Sequence, residues 1–215
     1  NELLTGAAAA NLRITPASEE FLDNFYMMEE QILMAKQHLP RGYSKELPHM
    51  LNGSLAGYPR IYDVAKELIV HTDGRVDAES LKRFVDAYQT KSVLNLGELW
   101  AVAIMLRLAL IENLRNISLR ITQDRIDRNL ANRWADQIIK TAETDPKSLI
   151  IAVADLARSD PPLSSAFVTE FAQKLEGQVQ ALNLPLIWIE ERLSEAGKSI
   201  VHLVQEDIQQ APIDK

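Results

Sequence analysis

The chain has 215 residues, 47% hydrophobic and 25% charged, a composition ordinary for a globular protein large enough to bury one substantial core or two. Its 30 acidic and 23 basic residues leave a net charge of -7 with no Lys/Arg-rich block, which argues against a nucleic-acid binder that must neutralise phosphates. The absence of cysteine removes disulfides, thiolate zinc sites and cysteine nucleophiles together, and it fits a cytoplasmic setting.

The chain begins without methionine, which points to processing or to a cut from a larger protein, and its opening NELLTGAAAANLR lacks the basic start of a signal peptide. Residues 1–14 read as an end segment or the tail of an earlier helix. Thr15-Pro16 then predicts a helix from Pro16 to Leu39, capped by Thr15 and stopped by Pro40-Arg41-Gly42. Phe25, Met28, Ile32 and Ala35 follow its apolar spacing. The stretch from Arg41 to Arg60 is punctuated by glycine and proline, with room for a short helix from Ser44 to Leu51. Two pieces of it, Arg41-Gly42-Tyr43-Ser44 and Ala56-Gly57-Tyr58-Pro59-Arg60, each place a tyrosine after a glycine near a helix start.

A third helix is expected from Pro59 to Val70, burying Ile61, Val64, Ala65 and Leu68, followed by a turn at Asp73-Gly74. Asp77 caps a fourth, with Leu81, Phe84, Val85 and Tyr88 inward. Next comes the longest apolar run, Leu96–Arg115, which has no clean polar side and so reads as a central helix buried all round. Three charged residues, Glu98, Arg107 and Glu112, lie within that apolar surround and need partners or a helix end. Asn95 with Glu98 three residues on forms a capping box, in which Glu98 bonds back to the Asn95 amide. The run is no membrane span: its uninterrupted apolar part, Leu99 to Leu106, falls far short of the roughly 20 residues required.

From Asn116 the pattern turns amphipathic, with Ile121, Leu130, Trp134 and Ile138 inward, and Asp124-Arg125 and Asp127-Arg128 as a solvated face. Asp145-Pro146 restarts a helix through Ala157, and Ser159-Asp160-Pro161-Pro162 breaks it. Further helices run to Glu176, from Asn183-Leu184-Pro185 to Gly197, and through Ile200, Val201 and Val204. No segment alternates with period two and no fixed-period repeat occurs. The expectation is an all-α bundle of roughly nine to ten helices around Leu96–Arg115. It divides into a subdomain of residues 1–144 and a smaller one of 145–215 packed on it, or forms one continuous domain.

Patterns that carry chemistry are sparse. His71-Thr72-Asp73-Gly74-Arg75-Val76-Asp77 echoes a calcium loop, but the first and last ligand positions fall on Ile69 and Ser80, so a turn and a helix cap explain it better. The four histidines sit in different elements without metal-ligand spacing, and no nucleotide-binding or nucleophile-elbow glycine pattern is present. What remains is an aromatic and charged set of Arg41, Tyr43, Tyr58, Arg60, Tyr62, Asp63 and Trp100. Aromatic rings stack on sugar faces and Arg/Asp pairs bond hydroxyls, so this set is a candidate carbohydrate groove. The competing reading makes Tyr62 and Trp100 core residues on which the two Gly-Tyr loops pack.

Several stretches taken in order resemble the N-terminal region of cyclic β-1,2-glucan synthases. They include Asp23-Asn24-Phe25-Tyr26, Leu39-Pro40-Arg41-Gly42-Tyr43, Ala56-Gly57-Tyr58-Pro59-Arg60-Ile61-Tyr62 and Asp73-Gly74-Arg75-Val76-Asp77. Gly97-Glu98-Leu99-Trp100-Ala101, Asp155-Leu156-Ala157-Arg158-Ser159-Asp160-Pro161-Pro162 and Trp188-Ile189-Glu190 extend the likeness over most of the chain. The resemblance implies a cytoplasmic helical segment of a very large bacterial inner-membrane protein. A membrane-embedded transferase using UDP-glucose and a phosphorylase-like module would follow it and be its partners. The sequence has no Asp-x-Asp and no transmembrane run, so no catalytic residue, metal or cofactor carries over to this segment. The expected role is structural or regulatory; the alternative is a saccharide-binding module that guides β-1,2-glucan.

Overall fold

The computed structural model describes residues 24–39, 42–176 and 183–210. Among these residues the chain is helical, without a named strand: α1 Phe25–His38, α2 Tyr43–Glu46, α3 Arg60–His71, α4 Ala78–Gln89, α5 Leu96–Thr144, α6 Leu149–Arg158, α7 Ser165–Leu175, α8 Asn183–Glu195 and α9 Ile200–Gln210. The expected all-α fold is the observed one. No helix of the described residues is long and apolar enough to cross a membrane.

Several boundaries differ from the sequence expectation for local reasons. The start expected at Pro16 lies outside the described residues; within them the helix runs Phe25–His38. The helix expected over Ser44–Leu51 is a single turn, α2, because Leu47 goes extended ahead of Pro48 (ψ 148°). The segment after it folds back on itself: Met50 N–H donates to the Tyr58 carbonyl and Arg60 N–H to that of Pro48. The central helix runs on past Arg115 to Thr144, since no glycine or proline interrupts residues 98–145. At Asp73-Gly74 the expected turn is present, with both residues at positive φ.

The described residues form two compact units divided between Ser118 and Leu119, inside α5 rather than at its end near Thr144. The division falls there because the two ends of α5 belong to different cores. In the first unit, Ile61, Val64, Ala65 and Leu68 of α3 meet Ala101, Met105 and Ala109 of α5, with Leu47 and Leu94 closing the ends. The two alanines, one turn to either side of Met105, leave room for the side chains of α3 to sit against α5. Leu81, Phe84 and Val85 of α4 cover the same core.

In the second unit, Ala131, Ala135 and Ile138 of α5 pack with Leu149 and Leu156 of α6, Phe167, Val168 and Phe171 of α7, Ile189 and Leu193 of α8, and Leu203 of α9. Phe167 and Phe171, one helical turn apart, stack with ring centroids 5.7 Å apart. Trp134 and Trp188 line this core half-buried. Ser164 caps α7, and Gly197 in the left-handed region ends α8 with Lys198 N–H returning to the Leu193 carbonyl.

Candidate functional site

The polar centre of the first unit is built where α3 and α5 begin. Glu98 stands in the first turn of α5 with no exposed surface. Its backbone N–H donates to Asn95 Oδ1 at 2.8 Å, while its Oε2 accepts from the Asn95 N–H at 2.9 Å, the reciprocal cap expected from the sequence. A carboxylate buried this deeply needs a cation. Arg60, the first residue of α3, supplies it in a fork, Nε to Oε1 at 2.9 Å and Nη2 to Oε2 at 2.7 Å. The remaining donors reach the loop between α4 and α5, with Nη1 on Ser92 Oγ at 2.6 Å and Nη2 on the Val93 carbonyl at 3.1 Å. The hydrogen bonds and charge of Glu98 hold the Arg60 guanidinium above its ordinary pKa.

Two tyrosines extend this arrangement. Tyr43 donates to the Gly97 carbonyl at 2.7 Å, and a Cβ at Gly97 would lie 3.4 Å from that hydroxyl. Tyr62, buried, donates to Glu112, which Lys66 also approaches at 3.4 Å. Tyr62 and Lys66 are one turn apart on α3, so one face of that helix meets Glu112 from both sides of the charge. Tyr58 stacks on Tyr62 at 5.8 Å and keeps its outer face in solvent.

Of the seven carbohydrate candidates, Arg41 lies outside the described residues, and Tyr43, Arg60 and Tyr62 spend their polar groups on the protein itself. Asp63 is half-buried in the first turn of α3, where its charge suits the positive helix end. Trp100 is 75% exposed, so the core position offered for it in the competing reading is not where it sits, whereas Tyr62 does sit in the core. The all-round burial expected of the central helix likewise gives way: one flank of α5, with Leu96, Leu99, Trp100 and Leu114, is open. Arg107 stands on that open flank, exposed, and among the described residues its Nη1 meets the Met34 sulfur at 3.8 Å. Glu112 is half-buried.

The second unit carries a polar cluster of its own, at residues expected to form a solvated face. Asp127 is 3% exposed and accepts from Ser164 Oγ at 2.6 Å and Gln123 Nε2 at 2.9 Å. Arg128 pairs with Asp207 of α9 at 2.8 Å and lies 3.8 Å from Glu170 of α7, whose other oxygen accepts from Asn132 at 2.7 Å. The signal for it was thin. Arg128 and Asn132 lie one turn apart on α5, with Asp127 about 100° round the helix from Arg128, and the partners that bind them from other helices lie 37 to 79 residues away. Among the described residues no group of acidic or histidine side chains is arranged to hold a metal ion.

No family model matches the chain. A curated relative does: the cyclic beta-(1,2)-glucan synthase NdvB of Rhizobium meliloti (strain 1021) is 32% identical over 191 residues. That alignment takes in 89% of this chain but spans only 7% of the length of the relative. Arg60, Glu98 and Arg128 thus lie in a chain that is similar, along nearly all of its length, to one short stretch of a cyclic beta-(1,2)-glucan synthase.

Proposed function

We propose that this chain is a non-catalytic, structural or regulatory helical segment of a cyclic β-1,2-glucan synthase-like protein, lying on the cytoplasmic side. Its partners there are the transferase and glycosidase-like modules of the parent, which makes glucan from UDP-glucose. The observation that carries the reading is the similarity over 89% of the chain to a small fraction of a glucan synthase. The use of Arg60, Glu98, Tyr43 and Tyr62 in internal bonds supports a scaffold in preference to a reaction centre. The test is retention of the remainder of the parent synthase by the immobilised segment. Specific retention is expected, and none at micromolar concentrations would defeat the reading.

The exposed rings of Trp100 and Tyr58 favour a second reading, in which the segment guides β-1,2-glucan. Titration with β-1,2-gluco-oligosaccharides, followed by tryptophan fluorescence, separates the two. A saturable change that Trp100→Ser removes would favour the sugar site; no change at millimolar ligand would exclude it.

A further inference from the structure

The flank of α5 opposite its core side has a regularity of its own. Leu96, Trp100, Ala103, Arg107, Leu110 and Leu114 follow one another at alternating spacings of four and three residues, the a/d pattern of a helix seam. None of the six is fully buried: Leu96 is 72% exposed, Ala103, Arg107 and Leu114 are also exposed, and Leu110, half-buried, packs against the edge of the core. The core side of the helix is the other one, through Ala101, Met105 and Ala109. This explains a helix apolar all round: one side meets α3, and the other presents a seam.

We infer that this seam pairs with a second copy of the chain, α5 against α5, antiparallel about a two-fold axis near Met105. The six positions are symmetric about that point. Antiparallel pairing sets Leu96 against Leu114, Trp100 against Leu110, and Ala103 against Arg107, each a partner-copy contact made twice. Two of the pairs set large apolar side chains against each other. The one bulky charged side chain faces the one small residue, so its stem lies over alanine and its guanidinium stays at the rim, beside Met34 of α1. A parallel pairing would instead stack Trp100 on Trp100 and Arg107 on Arg107.

A second feature meets the same register. Beside Leu110 an apolar groove of about 610 Å³ opens between α4 and α5, lined among others by Leu81, Val85, Ala103 and Leu106. Antiparallel pairing brings the indole of Trp100 from the partner copy to Leu110, at the edge of this groove. An exposed tryptophan and an open apolar groove are thus brought together by one symmetry operation, the arrangement of an interface anchor. The seam is about 27 Å long and about 10 Å wide. Such a strip falls short of the roughly 800 Å² per partner of a tight complex, so the dimer is weak and concentration-dependent.

Sedimentation of the purified chain over a concentration series tests the pairing. A monomer–dimer equilibrium with micromolar dissociation is expected, tightening with added salt as the two arginines are screened. Trp100→Ser, at an exposed position, keeps the helical circular dichroism and weakens the dimer by roughly thirtyfold. Register is read by cross-linking, for which the cysteine-free chain is suited. A mixture of Ala103→Cys and Arg107→Cys chains forms a disulfide-linked dimer on oxidation, while neither variant alone does so at comparable yield. A chain that stays monomeric at hundreds of micromolar overturns the proposal, as does either variant linking to itself in preference to the other.

Discussion

The two units solve the same problem, a charge inside a helical core, in opposite ways. In the first, one cation meets one anion. Arg60 forks onto Glu98, Asn95 caps the same carboxylate, and the leftover guanidinium donors fasten Ser92 and the Val93 carbonyl. In the second, Arg128 is shared between Asp207 and Glu170, and the buried Asp127 is held by the neutral donors Ser164 and Gln123. The first arrangement locks backbone: it ties the start of α3, a loop and the start of α5 to one point. The second ties helix sides together, α5 with α7 and α9. A point lock concentrates its cost in one residue, and a shared network spreads it.

The comparison is broken most directly at Arg60. Arg60→Met leaves the Glu98 carboxylate buried without its cation and frees the loop at Ser92. Loss of about 3–5 kcal/mol of stability is expected in urea unfolding. Adding Glu98→Leu restores part of it, because an apolar pair is tolerated where a stranded charge is not. Arg128→Met is expected to cost less, about 2–3 kcal/mol, since Glu170 retains the Asn132 bond and both carboxylates keep some contact with water. Trp100 reports the first unit and Trp134 and Trp188 the second, so the two losses can be followed separately. Equal losses at the two arginines would end the distinction between lock and network.

Ser164→Ala probes the neutral side of the network. It removes the cap of α7 and one of the two donors to Asp127, while Gln123 remains. A loss of about 1.5 kcal/mol is expected from the melting temperature, less than at either arginine. A loss as large as that at Arg60 would mean that Asp127 depends on Ser164 alone.

What could be read in the sequence divides along the same line. The Asn95–Glu98 cap was legible because both partners lie in one turn, and so were the turn at Asp73-Gly74 and the cap at Asp77. The continuation of α5 was also within reach, since nothing in residues 98–145 breaks a helix. Arg60 was singled out for its loop and its charge, but its attachment to Glu98 spans 38 residues, and local spacing carries no such information. Asp127 and Arg128 were misread because adjacent charges on a helix usually face water. Their burial is decided by α7 and α9, which bring Ser164, Glu170 and Asp207 to them. Trp100 shows the same limit from the apolar side, since a helical wheel ranks faces without saying which of them a neighbour covers.

The gentlest test compares two caps within the first unit. Asp77 caps α4 by the same reciprocal geometry as Asn95, accepting from the Ser80 N–H at 2.7 Å while Ser80 Oγ accepts from the Asp77 N–H at 3.0 Å. It stands exposed and binds no buried cation. The Ser80 backbone and side-chain bonds, with a smaller contribution from Arg83, hold its carboxyl below the ordinary aspartate value. A pKa depressed in the folded state means that the unfolded chain takes up the proton first as pH falls. The stabilisation is therefore full above about pH 4, the unfolded value, and fades as pH drops through the folded one. The stability difference between the native chain and Asp77→Ala should be small, level from pH 7 to 5, and shrinking below pH 4. A difference that persists undiminished at pH 2 would show that geometry alone, without charge, makes this cap. The exposed cap would then differ from the Asn95 cap only in lacking the buried Arg60–Glu98 pair behind it.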